Sequence, residues 1–253
     1  MDIAIVTGHS RGIGEAVAMQ LLDRDIRVLG IARHENPGLA KRYGRRLEQF
    51  SLDLADSGAL ATWLAGDALN RCVDGAESAI LVNNAGVLQP IGPLELQEVE
   101  QVSRAVAVNV AAAFMLAAAF VKATAPAKER RILHVSSAAG HKAYAGWSIY
   151  CATKAALDHH ARCVALDRTP GLRIASIAPG VVDTEMQAEI RASTDERFPE
   201  RPRFIAMHRD KAIPSPAAAA AKIVRYLLSD VFGSAPVFDV REEGSFPLPS
   251  SRP

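Results

Sequence analysis

The chain has 253 residues, 49% of them hydrophobic and 23% charged, with 29 Lys and Arg against 28 Asp and Glu for a net charge of +1. That length suits one large α/β domain or two small ones with a substantial core, and the composition excludes disordered and fibrous classes. A balanced charge offers no basic field for nucleic acid, so the expected partner is a small molecule. Cys72, Cys151 and Cys163 contain no C-x-x-C pair, which suggests neither a disulfide framework nor a zinc ribbon and fits a reducing compartment. The opening MDIAIVTGHS turns glycine-rich too early for a signal peptide. The most apolar stretch, 106–121, is shorter than the roughly 20 residues of a bilayer span and contains Asn109. The expectation is a cytoplasmic protein that uses no membrane.

The first predicted strand, 3–6, runs into Thr7-Gly8-His9-Ser10-Arg11-Gly12-Ile13-Gly14, which opens a helix over 14–24. Glycines there let the backbone turn tightly and approach a pyrophosphate, whose charge the amides and dipole at a helix N-terminus stabilise. The spacing is G-x-x-x-G-x-G and no Gly-Lys-Ser/Thr follows, which disfavours an ATP-binding P-loop. The second strand, 27–31, ends in Ala32-Arg33-His34. An NAD-preferring fold places a carboxylate at that point to hold the ribose 2′-hydroxyl, whereas a 2′-phosphate needs cations. Arg33 at the strand tip and Arg11 in the glycine loop supply two guanidinium forks, so the expected cofactor is NADP(H).

Further along, helices are predicted at 57–70, 98–123 and 148–167, and strands at 79–82, 131–135 and 172–177. The strands are mostly continuous apolar runs, as expected when both faces are covered, and their alternation with helices predicts a doubly wound parallel α/β fold with a crevice at the strands' carboxyl ends. The charged, Pro-containing segment 183–216 reads as irregular, either an active-site lid or a solvated excursion. The stretch 242–253 reads as a flexible tail, so a single domain is expected over 1–241.

Of the four tyrosines, Tyr150 alone has a lysine four residues on, Lys154. That spacing puts both on one helix face. A phenol is a poor proton donor and acceptor at neutral pH unless a cation stabilises its phenolate, which Lys154 can supply. Ser137, thirteen residues before Tyr150, follows the 131–135 strand, from which a loop can bring its hydroxyl beside the phenol; alternatively, Ser136 and Ser137 cap the next turn. Neither serine lies in the G-x-S-x-G of a hydrolase elbow. His159 and His160 are adjacent with no carboxylate cluster beside them, so no metal site is expected and they read as helix surface.

These motifs together resemble the short-chain dehydrogenase/reductase family: the glycine run from Thr7 to Gly14, Asp53-Leu54, Asn83-Asn84-Ala85-Gly86, Asn109, Ser137, Tyr150 with Lys154, and Pro179-Gly180-Val181-Val182-Asp183-Thr184 occur in family order and span the domain. The resemblance implies a Rossmann-like domain with a parallel sheet of about seven strands and helices on both faces. It also implies that Tyr150 is the general acid/base, that Lys154 lowers its pKa and binds the nicotinamide ribose, that Ser137 polarises a carbonyl, and that Asn109 holds a water of a proton relay. Gly8, Ser10, Arg11, Gly12, Ile13, Gly14 and Arg33 are implied on the phosphate side of the cofactor, Asp53 and Leu54 at the adenine, and Asn83, Ala85 and Gly86 along the adenosine. Pro179, Gly180, Val181 and Thr184 are implied at its carboxamide and diphosphate end. Relatives pair helices like 98–123 and 148–167, so a homodimer is expected.

Within the family, stretches such as Ala32-Arg33-His34-Glu35-Asn36, Tyr144-Ala145-Gly146-Trp147 and Arg203-Phe204-Ile205 are most similar to sepiapterin reductases and bacterial benzil reductases. The implied activity is NADPH-dependent reduction of a ketone or α-diketone, with an NAD-linked alcohol dehydrogenase or a nucleotide-sensing protein as alternatives. Leu88, Tyr144, Trp147, Val181, Met186, Phe204 and Met207 are expected around the nicotinamide end as an apolar, partly aromatic pocket. Asp239, at the place of the sepiapterin reductases' pterin-binding aspartate, is the candidate polar contact.

Overall fold

The computed structural model describes residues 2–240, so the expected tail at 242–253 and the domain end at 241 lie outside the described residues. Seven parallel strands form one sheet in the order β3-β2-β1-β4-β5-β6-β7. They are β1 (Asp2–Thr7), β2 (Arg27–Ala32), β3 (Leu47–Ser51), β4 (Ser78–Asn83), β5 (Glu129–Val135), β6 (Leu172–Ala178) and β7 (Val237–Asp239). The chain adds β2 and β3 on one side of β1 and β4 to β7 on the other, so the order reverses between β1 and β4. In doubly wound sheets that reversal opens a crevice at the strands' carboxyl ends.

Successive strand residues point to opposite faces, and both faces are buried. Ala4, Val6, Ile80, Val82, Leu133 and Ile177 pack with residues of α1 (Gly12–Leu22), α2 (Pro37–Tyr43) and α10 (Pro216–Leu228). Ile3, Ile5, Leu29, Leu81 and Ile132 pack on the other face with α3 (Ser57–Ala65), α4 (Ala68–Val73), α6 (Ala112–Ala123) and α7 (Ser148–Leu166). Each fully buried Leu, Ile or Val contributes roughly 1.5–3 kcal/mol. Neither strand face could be polar without loss, which is why the strands read as apolar runs.

The structure departs from the sequence expectation in four places. The helix expected over 57–70 divides into α3 and α4 at Gly66-Asp67, where Gly66 is extended. The segment 183–216, expected to be irregular, folds two helices, α8 (Glu185–Ala192) and α9 (Arg201–Arg209), with Pro202 tolerated in the first turn of α9. Strands β3 and β7 escaped the apolar-run criterion because β3 is a half-exposed edge strand and β7 has three residues. The 98–123 helix forms as α5 (Val99–Val106), a π-helical turn at Ala107–Ala111, and α6. Unlike the 106–121 stretch alone, Val99–Ala123 is long and apolar enough to cross a membrane by length and composition, but Leu116 and Phe120 lie in the core against the sheet.

Candidate active site

A cavity of about 740 Å³ runs from the glycine loop, across the carboxyl ends of the central strands, to α7, α8 and α9. At its entrance Gly8 and Gly12 hold φ of +66° and +61°, a left-handed conformation that side chains rarely adopt. Gly14 is required for another reason: a Cβ there would lie 2.2 Å from the Gly8 carbonyl oxygen. Asn84 fixes the loop from the β4 side by donating Nδ2 to the Thr7 carbonyl at 2.9 Å, while the Thr7 hydroxyl accepts the Asn84 and Ala85 amides. Gly8, Ser10, Arg11, Gly12 and Ile13 line the cavity; Gly14 sits behind them.

A buried brace ties this loop to the end of β2. His9 Nε2 lies 2.7 Å from Gln49 Oε1, which also accepts the Asn36 amide at 2.7 Å. Asn36 Nδ2 in turn donates to the Ser10 carbonyl at 3.0 Å and to Glu15 at 2.8 Å. The His9 ring occupies space that only a glycine at position 30 leaves open, since a Cβ there would lie 2.5 Å from it. Burial lowers the His9 pKa, with the Gln49 bond opposing, so the ring is neutral. Sequence reasoning missed this brace because its members belong to three separate segments. Arg33, also in the cavity wall, is exposed at the tip of β2, and exposed Arg11 is ion-paired with Glu185 of α8 across the mouth. Leu54 and Asp53 line the same end, and Asp53 pairs with Arg104 of α5 at 3.1 Å. Arg104 was not anticipated; nothing in its local sequence marks it.

At the other end, Tyr150 and Lys154 share one face of α7 and line the cavity with Ser137. The Lys154 Nζ donates to the Val135 carbonyl at 2.8 Å and lies 5.6 Å from the Tyr150 ring centre. Burial lowers the Lys154 pKa to about 8, with Asp158 one turn on opposing. Burial pushes the Tyr150 phenol up to about 12, with its hydrogen bond to Ser137 pulling down. Ser137 combines both positions foreseen for it: it faces Tyr150, and its Oγ also accepts the Ala139 amide at 3.2 Å. Ser136 Oγ donates to the Lys154 carbonyl at 3.3 Å.

Asn109 stands in the π-helical turn, 1% exposed, but its side chain does not face the cavity. Its Oδ1 accepts the Val87 amide at 2.8 Å, and its Nδ2 donates to the Val87 carbonyl at 2.9 Å and Thr153 Oγ1 at 3.1 Å, locking the loop after β4 to α7. Ala85 and Gly86 line the cavity from that loop, whereas the Asn83 side chain is turned away: its Nδ2 lies 3.2 Å from the Ala113 carbonyl and from His134 Nδ1. His160 departs from the expected helix surface. It stacks on Phe114 with ring centres 4.2 Å apart, and its Nδ1 lies 3.1 Å from Nε2 of buried His134. Burial drives the His134 pKa to about 3, with His160 and Lys154 adding to it.

The expected apolar pocket is an aromatic box. Trp147 stacks on Phe198 at 4.3 Å and packs against Tyr150 and Phe204, with Leu88, Ile190, Tyr144, Val181 and Met186 around them. Met186 Sδ lies 4.0 Å from Tyr150 Oη. Pro179, Gly180 and Thr184 continue the wall toward the glycine loop, and Met207 does not reach it. Asp239 borders a separate hollow of about 210 Å³ behind Ser137, shared with Asp158 and His141. Among the described residues, no group of three or more His, Cys, Asp or Glu could hold a metal ion.

A glycine-loop crevice leading to a Tyr–Lys–Ser cluster defines an oxidoreductase that uses a nicotinamide cofactor on carbonyl or alcohol groups. Residues 2–195 match the short chain dehydrogenase family, and the chain belongs to it. A benzil reductase ((S)-benzoin forming) of Bacillus cereus is 37% identical over 96% of this chain and all of that relative. A sepiapterin reductase of Meriones unguiculatus is 28% identical over 92% of this chain and 93% of its own. The crystal structure of a short-chain dehydrogenase/reductase from Burkholderia vietnamiensis is 52% identical, with TM-score 0.70 over 95% of this chain and 97% of that one. The fold and the benzil and sepiapterin reductase likeness inferred from sequence are thus borne out.

Proposed function

We propose that the protein is an NADPH-dependent reductase of ketones and α-diketones, with Tyr150 as proton donor. The observation that carries this reading is the single cavity joining Arg11 and Arg33 at one end to Tyr150, Lys154 and the aromatic box at the other. The residues fit a dinucleotide: among the described residues a Cβ placed on Gly12 would meet only Thr184 Cγ2, at 3.7 Å, so the backbone there stays open to a diphosphate. Gly8, Ser10 and Ile13 would hold the diphosphate, Arg11 and Arg33 the 2′-phosphate, and Asp53 and Leu54 the adenine. Ala85, Gly86 and the backbone of Asn83 would hold the adenosine ribose, with Lys154, Pro179, Gly180, Val181 and Thr184 at the nicotinamide end. When bound, the cofactor supplies the hydride.

The chain's own residues orient the carbonyl and move the proton. Ser137 and Tyr150 hydrogen-bond the ketone oxygen, and Tyr150 delivers its proton there as negative charge develops. The Lys154 ammonium stabilises the resulting phenolate, and its bond to Val135 aims it. Asn109 positions the Val87 loop that borders the carbonyl. Leu88, Trp147, Tyr144, Met186 and Phe204 exclude water and accept a bulky aryl group, which suits an aromatic ketone, an α-diketone or a pterin side-chain dicarbonyl better than a sugar. The name of the Bacillus cereus relative supports the α-diketone among these. Asp239 faces another hollow and would reach a substrate only through Ser137's side of the site.

A cytoplasmic homodimer is part of the reading: Val99 and Val106 on α5 and Leu166 at the end of α7 are exposed apolar residues on the two helices expected to pair. The test is NADPH consumption over benzil, other α-diketones, quinones and sepiapterin, together with NADPH and NADH titrations. Turnover with an α-diketone and tighter NADPH binding are expected. Tighter NADH binding would overturn the cofactor assignment, and inactivity across the panel the reductase assignment. Light scattering at micromolar concentration should report twice the 27.0 kDa chain mass.

A further inference from the structure

The proposed mechanism asks Lys154 to carry a positive charge in a place that disfavours one. Its side chain is buried, its Nζ donates to the neutral carbonyl of Val135 at 2.8 Å, and among the described residues it forms no ion pair. A buried ammonium gives up its proton unless an opposite charge offsets the lost hydration. The neighbours that approach it from other sides supply none. Tyr150 is a neutral phenol held up near 12, and burial drives the pKa of His134 on β5 to about 3. Gly86, which approaches Nζ from the loop after β4, carries no charge.

Asp158 lies one turn further along α7 and is 2% exposed. Residues four apart share a helix face, so Tyr150, Lys154 and Asp158 form one row. Other elements are fitted around the Asp158 carboxylate. From β6, Ser176 Oγ donates to its Oδ1 at 2.6 Å, the length of a hydroxyl bonded to an ionised carboxylate. In the turn after β5, Gly140 leaves the space that Oδ2 occupies, since a Cβ there would collide with that oxygen. His141 and Asp239 line the 210 Å³ hollow beside it. We propose that Asp158 is a positioning residue of the reaction, its buried carboxylate being the counter-charge that keeps Lys154 an ammonium beside Tyr150. The proposal rests on the reductase reading above. It agrees with the balance at Lys154, where burial lowers the pKa to about 8 and Asp158 opposes the fall.

Asp158→Asn keeps the shape and still accepts the Ser176 hydroxyl, so it removes the charge alone. The alkaline limb of kcat/KM for benzil should move down from about pH 8 by about one unit. Activity should then fall roughly three- to fivefold between about pH 7.5 and 8 and return to within about twofold of wild type at about pH 6. Ser176→Ala removes the hydrogen bond and leaves the charge, so its limb should stay within about 0.3 unit of wild type. A uniform loss in the Asn variant at every pH, with the limb unmoved, would overturn the proposal and make Asp158 a packing residue. So would a limb displaced as far by Ser176→Ala. Should the Asn variant not fold, Asp158→Ser must show the same displaced limb. NMR titration of the Lys154 ε-carbon in isotopically lysine-labelled protein, with the resonance identified by its loss in Lys154→Met, reads the displacement without turnover. A wild type that reduces no ketone of the panel would sink the reductase reading, whereas equal Lys154 titration in wild type and variant would sink the role of Asp158.

Discussion

The two ends of the cavity are built from different materials. At the nucleotide end the wall is backbone, opened by Gly8 and Gly12 at positive φ, with charged side chains such as Arg11 and Arg33 standing in solvent. At the carbonyl end it is buried side chains: Lys154 4% exposed, Tyr150, Trp147 and Phe204, with the phenol and ammonium pKa values both displaced by burial. The contrast fits the tasks proposed for the two ends. A diphosphate is bound well by amides and mobile cations in water, while proton transfer requires groups whose charge is costly enough to move.

That contrast predicts that catalysis and nucleotide affinity can be lost separately. The largest effect is expected for Tyr150→Phe, which would remove the proposed proton donor and leave the aromatic packing: kcat should fall roughly 10²- to 10⁴-fold with the NADPH Kd nearly unchanged by fluorescence titration. Near-normal turnover would remove Tyr150 from its proposed role. The complementary change, Arg33→Ala combined with Arg11→Ala, would remove the two charge-assisted bonds proposed to the 2′-phosphate and should weaken NADPH binding about 10- to 100-fold. NADH affinity and kcat at saturating cofactor should barely move. Equal weakening of both cofactors would mean that the arginines act on the shared diphosphate.

The same division explains what the sequence revealed. The glycine loop, the missing carboxylate at Ala32 and the Tyr150–Lys154 spacing are local signals, because each is set by the geometry of one strand–helix turn or one helix face. The aromatic box draws Leu88, Trp147, Ile190, Phe198 and Phe204 from four segments, and no local pattern distinguishes such residues from core. Phe198 and Ile190 were missed for that reason, as were α8 and α9, whose charged faces conceal short buried stripes. His160 was misread because pairing with His134 depends on the register of α7 over β5. Asn83 and Asn84 show the limit of motif reading: both belong to one motif, yet alternation along the strand end sends Asn83 toward His134 and Asn84 to the glycine loop.

A smaller effect, confined to the carbonyl end, is expected from pH. Burial lowers the Lys154 pKa to about 8, so the ammonium is present below that pH and is lost as pH rises through it. Tyr150 remains a protonated donor throughout, its phenol being held up near 12. The reductive kcat/KM should therefore be level from pH 6.5 to about 7.5 and fall by up to about tenfold per pH unit above about 8. A level profile to pH 10 would show that the cation is not required. NADPH affinity should follow this limb weakly, because its 2′-phosphate would be held by Arg11 and Arg33 at the opposite end of the cavity from Lys154.

The smallest effect is expected at Arg104, and it tests whether solvated charges at the nucleotide end act by position or by strength. Arg104 and Asp53 are about two-fifths exposed and 3.1 Å apart, a setting in which an ion pair contributes about 0–1 kcal/mol after screening. Desolvation raises the Asp53 pKa, but the Ala55 amide and then the Arg104 guanidinium outweigh it and hold the carboxyl below its usual value. Arg104→Ala should leave the melting temperature within about 2 °C of wild type. It should weaken NADPH and NADH alike by roughly two- to fivefold, because the adenine that Asp53 would hold is common to both. A loss restricted to NADPH would instead make Arg104 a third phosphate ligand and extend the cationic end of the cavity from β2 to α5.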